Sequence, residues 1–189
     1  DFGKGWRLSD GRGIVMRNAR PDEAEAIRQL YVSQYGDRYT LAEVMDPEKN
    51  YEVLRSPDWH WILAECEGRL VASLLFGLER VHRLGKALGG VVLPEMRGHK
   101  VMRIMLEEAL RLHLREGGPM DLIYAVVRTF VSLSFHHDLA QLGFVDTGIF
   151  PNVRKVAQYE THGLKVLLAP HTKQVRRSTP LLIPQLRDL

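Results

Sequence analysis

Val91-Val92-Leu93-Pro94-Glu95-Met96-Arg97-Gly98-His99-Lys100-Val101-Met102-Arg103 is where the pattern of this 189-residue chain changes most sharply. An apolar run with β-branched residues is stopped by Pro94, and a short polar stretch follows that contains Gly98. Apolar residues then recur at helical spacing as Val101, Met105, Ala109 and Leu112. The stretch reads as strand, loop and helix start. A helix start leaves backbone N–H groups unpaired and carries partial positive charge. A glycine in the loop before it lets the backbone approach an anion closely, and Arg97, Lys100 and Arg103 add full charges around that point. Such a loop is suited to a phosphate or diphosphate.

On the N-terminal side, residues 1–13 hold four glycines and little apolar content, and read as a flexible lead-in. Ile14 to Arg17 reads as a short strand, and Pro21-Asp22 as the opening of a helix carrying Ala24, Ile27, Leu30 and Tyr31 on one face. A weaker helical stretch from Leu41 to Leu54 is interrupted near Asp46-Pro47. Trp59 to Cys66 and Leu70 to Leu78 form a hairpin about Glu67-Gly68-Arg69, and Lys86 to Leu93 is a third strand. On the C-terminal side Gly117-Gly118-Pro119 ends the central helix. Leu122 to Arg128 is almost unbroken in apolar character, which predicts a central strand buried on both faces. Ser132 to Leu142 is a helix closed by Gly143, and Phe144–Phe150 and Leu164–Leu168 are the last strands. The order is β-α-α-β-β-β-α-β-α-β-β, an α/β domain with a mixed β-sheet flanked by helices. It spans residues 14–169, with residues 170–189 as a basic C-terminal arm.

Three local patterns together resemble the GNAT superfamily of acyl-CoA-dependent acetyltransferases. They are Val91 to Gly98, Trp61-Ile62-Leu63-Ala64-Glu65 with its turn, and Leu139-Ala140-Gln141-Leu142-Gly143-Phe144. The resemblance runs from about Ile14 to Leu168. It implies acetyl-CoA, or another acyl-CoA, as co-substrate. It places Val91, Val92 and Leu93 along the pantetheine arm and Arg97, Gly98, His99, Lys100, Val101, Met102 and Arg103 around the pyrophosphate. It also implies transfer of an acetyl or other short acyl group to a primary amine of a small molecule or protein. Lys100 and Met102 stand where the family pattern has small residues. The alternative reading is therefore a catalytically altered GNAT-like domain that binds a ligand or partner within a longer protein. The tyrosine that usually serves as acid is replaced by Leu139, and the strand Lys86–Leu93 carries no carboxylate. Proton-transfer candidates are then His136 on the late helix, ahead of its neighbour His137, and Glu79 and His82 at a strand connection. The regions that build acceptor pockets in this fold contain Tyr35, Tyr39, Tyr51, Asn152, Arg154 and Tyr159.

Bulk properties are consistent with this reading. Apolar residues make up 45 % and charged residues 26 %, as in ordinary soluble globules. No apolar run approaches the roughly 20 residues that cross a bilayer, and no signal-peptide pattern opens the chain. The single Cys66 cannot form an internal disulfide, which fits a reducing, cytoplasmic setting. No metal-ligand spacing is present, so no metal is expected. From Arg154 onward seven Lys or Arg stand against two acids, a net +5 that leaves −2 for the remainder of the +3 chain. This reads as a solvated tail rather than a nucleic-acid surface, since no recognition motif accompanies it. The expected partners are an amine acceptor and, as a homodimer, a second copy of the chain.

Overall fold

The computed structural model describes residues 5–37, 39–155 and 159–174. Among these, the strands are β1 (Gly5–Arg7), β2 (Gly13–Asn18), β3 (Trp59–Cys66), β4 (Arg69–Glu79), β5 (Leu84–Val92), β6 (Leu122–Arg128), β7 (Val145–Lys155) and β8 (Tyr159–Leu168). They form one sheet in the order β1-β2-β3-β4-β5-β6-β8-β7. Every neighbouring pair is antiparallel except β5 and β6. A parallel pair needs a crossover, and helix α4 (Val101–Leu114) supplies it.

Helices cover both faces. On one, α1 (Ala24–Tyr35) buries Ile27, Leu30 and Tyr31, the stripe expected from their spacing, and packs on β4 and β5. The interrupted stretch beside it is two helices, α2 (Ala42–Met45) and α3 (Pro47–Arg55). The break lies at Asp46, whose carboxylate accepts from the Glu48 and Lys49 amides while Pro47 takes the first helical position. On the other face lie α4 and α5 (Leu133–Gln141), the latter capped by Ser132 Oγ. The core fills the space between these layers, with Met105, Leu106 and Ala109 of α4 buried against the sheet. No described helix is long and apolar enough to cross a membrane.

Two expectations are corrected. The flexible lead-in contains β1, where Gly5, Trp6 and Arg7 pair with Val15, Ile14 and Gly13 of β2. Glycine content concealed a strand that needs only three residues. Strand β6 is not buried on both faces: Ile123, Ala125 and Val127 are covered by α4 and α5, whereas Val126 and Arg128 reach solvent. On this face the sheet is open at the end of β6, where Val126 and Arg128 lie. Pro170–Gln174 forms one turn of 3-10 helix, and the rest of the expected basic arm, residues 175–189, lies outside the described residues.

Candidate functional site

The parallel pairing of β5 with β6 covers only Leu84–Ala87 against Leu122–Ala125. Beyond Ala87 the two strands part, and Leu88–Val92 keeps a partner only on β4. A bulge accompanies the parting: Ser73 pairs with Val91 and Leu75 with Leu88, so Gly89 and Gly90 together face Leu74. Gly89 has φ +62°, and a Cβ there would stand 2.9 Å from Leu41 Cδ2, so the bulge requires glycine. The Tyr31 hydroxyl, fully buried, fastens it by donating to the Gly89 carbonyl. Behind it Ser73 Oγ lies 3.0 Å from Tyr31 Oη and accepts from Trp61 Nε1 at 2.7 Å. Burial raises the Tyr31 phenol well above its ordinary pKa, so it stays protonated and able to donate. The Gly90 and Val92 carbonyls are met by Tyr35 Oη at 3.3 Å and Arg97 Nε at 3.4 Å, both long contacts that an extended ligand can replace.

The gap leads to the start of α4. Gly98 has φ +82° with open space where a Cβ would lie. Lys100 is left-handed as well, at φ +60°, and no side chain caps the helix. The first-turn amides therefore face outward unclaimed by a cap. Beside them is a cleft of about 460 Å³ whose lining includes Arg7, Ser9, Gly98, His99, Lys100 and Arg103, with one carboxylate, Glu107. Three cations and a bare helix start fit a dianionic diphosphate, and the adjoining gap fits an extended chain that hydrogen-bonds like a strand. Arg7 and Ser9 come from the segment expected to be a flexible lead-in, which no pattern in it had marked.

Other expected residues are placed as follows. Val91 and Leu93 are buried, Val92 is half-buried, and the Leu93 amide bonds to the Val71 carbonyl, so the free stretch begins earlier, at Leu88. Arg97 is exposed and bonds to Gln34 Oε1 at 3.0 Å. His99 lies 3.1 Å from Ser9 Oγ and 3.4 Å from Asp10 Oδ2. Arg103 is held by Asp138 at 3.2 Å and by Gln141, both on α5. Val101 is buried, and Met102 packs beneath Gly90 rather than filling the loop. His136 is half-buried on α5, and His137 is exposed beside Gln141. Glu79 and His82 lie together. They bond to each other at 2.7 Å where β4 turns into β5, at the closed end of the strand pair. The four-residue advance from Leu84 to Leu88 separates them from the start of the free strand edge by roughly 13 Å.

On the open face across the gap, Arg128 stands opposite His162 of β8. It donates to Glu160, whose other oxygen is 3.4 Å from His162 Nε2. Tyr35, Tyr39 and Tyr31 form a stack on the α1 side, with ring centres 4.8 and 5.2 Å apart. Burial raises the Tyr35 phenol pKa, and the Arg97 and Arg128 charges act against that shift, which places both guanidiniums within electrostatic reach of its hydroxyl. Sequence reasoning missed Glu160 and Arg128; their alternation with apolar neighbours on short strands was the only available signal. Tyr51 lies away on α3 with Arg55 over its ring, Asn152 takes φ +53°, Tyr159 is exposed, and the Arg154 side chain lies outside the described residues.

No family model matches the chain, and no curated protein matches it. Solved structures do. The acetyltransferase of GNAT family from Streptococcus pneumoniae aligns with a TM-score of 0.66 at 20 % identity, over 82 % of this chain and 98 % of its own. The ribosomal-protein-S5-alanine acetyltransferase from Vibrio fischeri aligns with 0.69 at 14 %, over 88 % and 97 %. The spermidine N-acetyltransferase from Vibrio cholerae, a dodecamer, aligns with 0.68 at 16 %, over 88 % and 98 %. The chain thus has the fold of the GNAT superfamily, as the sequence resemblance implied.

Proposed function

We propose that the chain transfers an acetyl or other short acyl group from an acyl-CoA to a primary amine. The observation that carries this reading is the junction of the β5–β6 gap with the uncapped start of α4. Acyl-CoA supplies the thioester carbonyl, held on sulfur, that an amine attacks. A C–N bond forms, the C–S bond breaks, one proton leaves the amine and one reaches the thiolate. The outward amides around Gly98 to Arg103 and the cations beside them hold the diphosphate. The free edge of Leu88–Val92 holds the pantetheine arm and so fixes the position of the thioester. His136 remains the group assigned to the leaving thiolate, because α5 directly follows the strand bordering the gap. Replacing it with alanine is expected to lower turnover roughly 10²-fold with CoA affinity nearly unchanged.

Titration calorimetry with acetyl-CoA tests the reading. Intact protein should bind, Gly98→Asp should abolish binding through its charge, and Gly98→Ala should separate that effect from backbone strain at φ +82°. Absence of binding at millimolar acetyl-CoA overturns the reading in favour of a GNAT-like domain with another ligand.

A further inference from the structure

Glu160 is the least exposed carboxylate in the site, its side chain 5 % accessible at the end of a strand next to the open face. A buried carboxylate needs a partner, because an unpaired one loses far more hydration than it regains. Arg128 Nη2 and the His162 ring supply that partnership from the same face of β6 and β8. The consequence for Arg128 is geometric. One corner of its guanidinium is tied down, while the side chain remains 43 % accessible and its Nε and Nη1 have no hydrogen-bond partner among the described residues. An arginine fixed in this way presents its remaining N–H groups to solvent in a defined orientation. It stands at the last residue of the strand that borders the gap, with exposed Val126 two residues before it on the same face and half-exposed Phe150 opposite His162. The surroundings are a cation set in an apolar surface, beside a tyrosine stack.

We propose that Arg128 receives a carboxylate of the acyl acceptor, so that the chain acts on amino-acid-type amines rather than on polyamines. This rests on the acyl-transfer reading above. Planar carboxylates match the guanidinium fork, and such charge-assisted pairs are short and strong. A polyamine would instead bring its ammonium groups against Arg128 and Arg97, with Glu160 already paired to Arg128. A site built to pair a polar group discriminates strongly against an analogue that lacks it, since its own buried or anchored group is then left unpaired.

The test is thiol release from acetyl-CoA with the common amino acids, their carboxamides, and the diamines putrescine and cadaverine as acceptors. At least one amino acid should exceed its own carboxamide in kcat/KM by 10-fold or more, mainly through KM, and both diamines. In Arg128→Gln that ratio should fall to about 1. Removing Arg128 alone takes a charged partner from a buried carboxylate, so the double variant Arg128→Gln/Glu160→Gln, which removes both charges, should lose the discrimination while remaining folded. Diamines or carboxamides matching the amino acids overturns the inference, as does discrimination that survives in both variants. Inactivity toward every amino acid overturns it too, provided calorimetry still shows acetyl-CoA binding. Absence of that binding instead marks failure of the acyl-transfer reading itself.

Discussion

Lys100 is the residue at which chain and family pattern diverge most visibly, and its backbone explains how the loop survives the divergence. It adopts φ +60° immediately before α4, a conformation glycine takes without steric cost and an L-residue takes at about 1 kcal/mol. The sequence shows a bulky residue in a loop of small ones; it does not show that the side chain projects outward while the backbone keeps the glycine-like turn. Lys100→Gly should therefore fold with equal or higher stability, gaining up to about 1 kcal/mol against the usual entropic loss. Acetyl-CoA affinity should change as well, since a charge lining the cleft disappears. Thermal unfolding and calorimetry on the same sample measure both, and loss of folding would show that the lysine side chain supports the loop. Glu79 and His82 suit proton transfer by residue type, and their hydrogen bond closes the turn at the paired end of β4 and β5.

Among the elements, the ones with strong periodicity were legible. Strands β3, β4 and β6 and helices α1, α4 and α5 lie within a few residues of where alternation, helical spacing and glycine stops placed them. Strand β1 and the bulge in β5 were not, because three residues make no period and a bulge leaves no mark beyond Gly89-Gly90. The cofactor loop was legible because its glycine and charges are contiguous. Arg128 and Glu160 were not, since their meeting depends on β8 inserting between β6 and β7. The bulge itself depends on a buried relay in which Trp61 donates to Ser73, Ser73 to Tyr31, and Tyr31 to the Gly89 carbonyl. Tyr31→Phe breaks it at the last step, leaving the Ser73 hydroxyl and the Gly89 carbonyl unsatisfied at a cost of roughly 1–3 kcal/mol. Stability should fall by that amount and acetyl-CoA binding should weaken, because the strand edge bordering the gap loses its anchor. Tyr35→Phe, which removes only the 3.3 Å contact to Gly90, should leave stability nearly unchanged. Equal losses in the two variants would show that the relay does not hold the bulge.

For the whole molecule, helix α4 is joined to strand β3 of the sheet by a pair of histidines with a consequence for pH. His113, 4 % exposed near the end of α4, approaches His60 of β3 at 2.8 Å, and His60 Nε2 lies 2.9 Å from Asn18 Oδ1. The amide oxygen only accepts, so His60 carries its proton on Nε2 and accepts from His113 Nε2 through Nδ1. That leaves His113 Nδ1 unprotonated and buried without a partner among the described residues. Charging the His113 ring would place a cation where little water reaches, and burial depresses both pKa values from 6.5 to about 4. The folded state therefore resists protonation that the unfolded chain accepts. Stability contributed by the neutral pair is complete above the unfolded value of 6.5 and is lost as pH falls toward about 4. The loss begins between pH 7 and pH 5. The depressed carboxylates of Glu23, Glu25 and Asp121 lose their contribution only at lower pH, which leaves this window to the histidines. Urea unfolding at the two pH values should show the midpoint falling steeply in the native chain. His113→Phe places a ring of similar size beside Phe76, 5.3 Å from the native imidazole, and removes one titrating group. Its stability should depend on pH about half as strongly, and a dependence equal to the native one would show that the pair is not what acid disrupts.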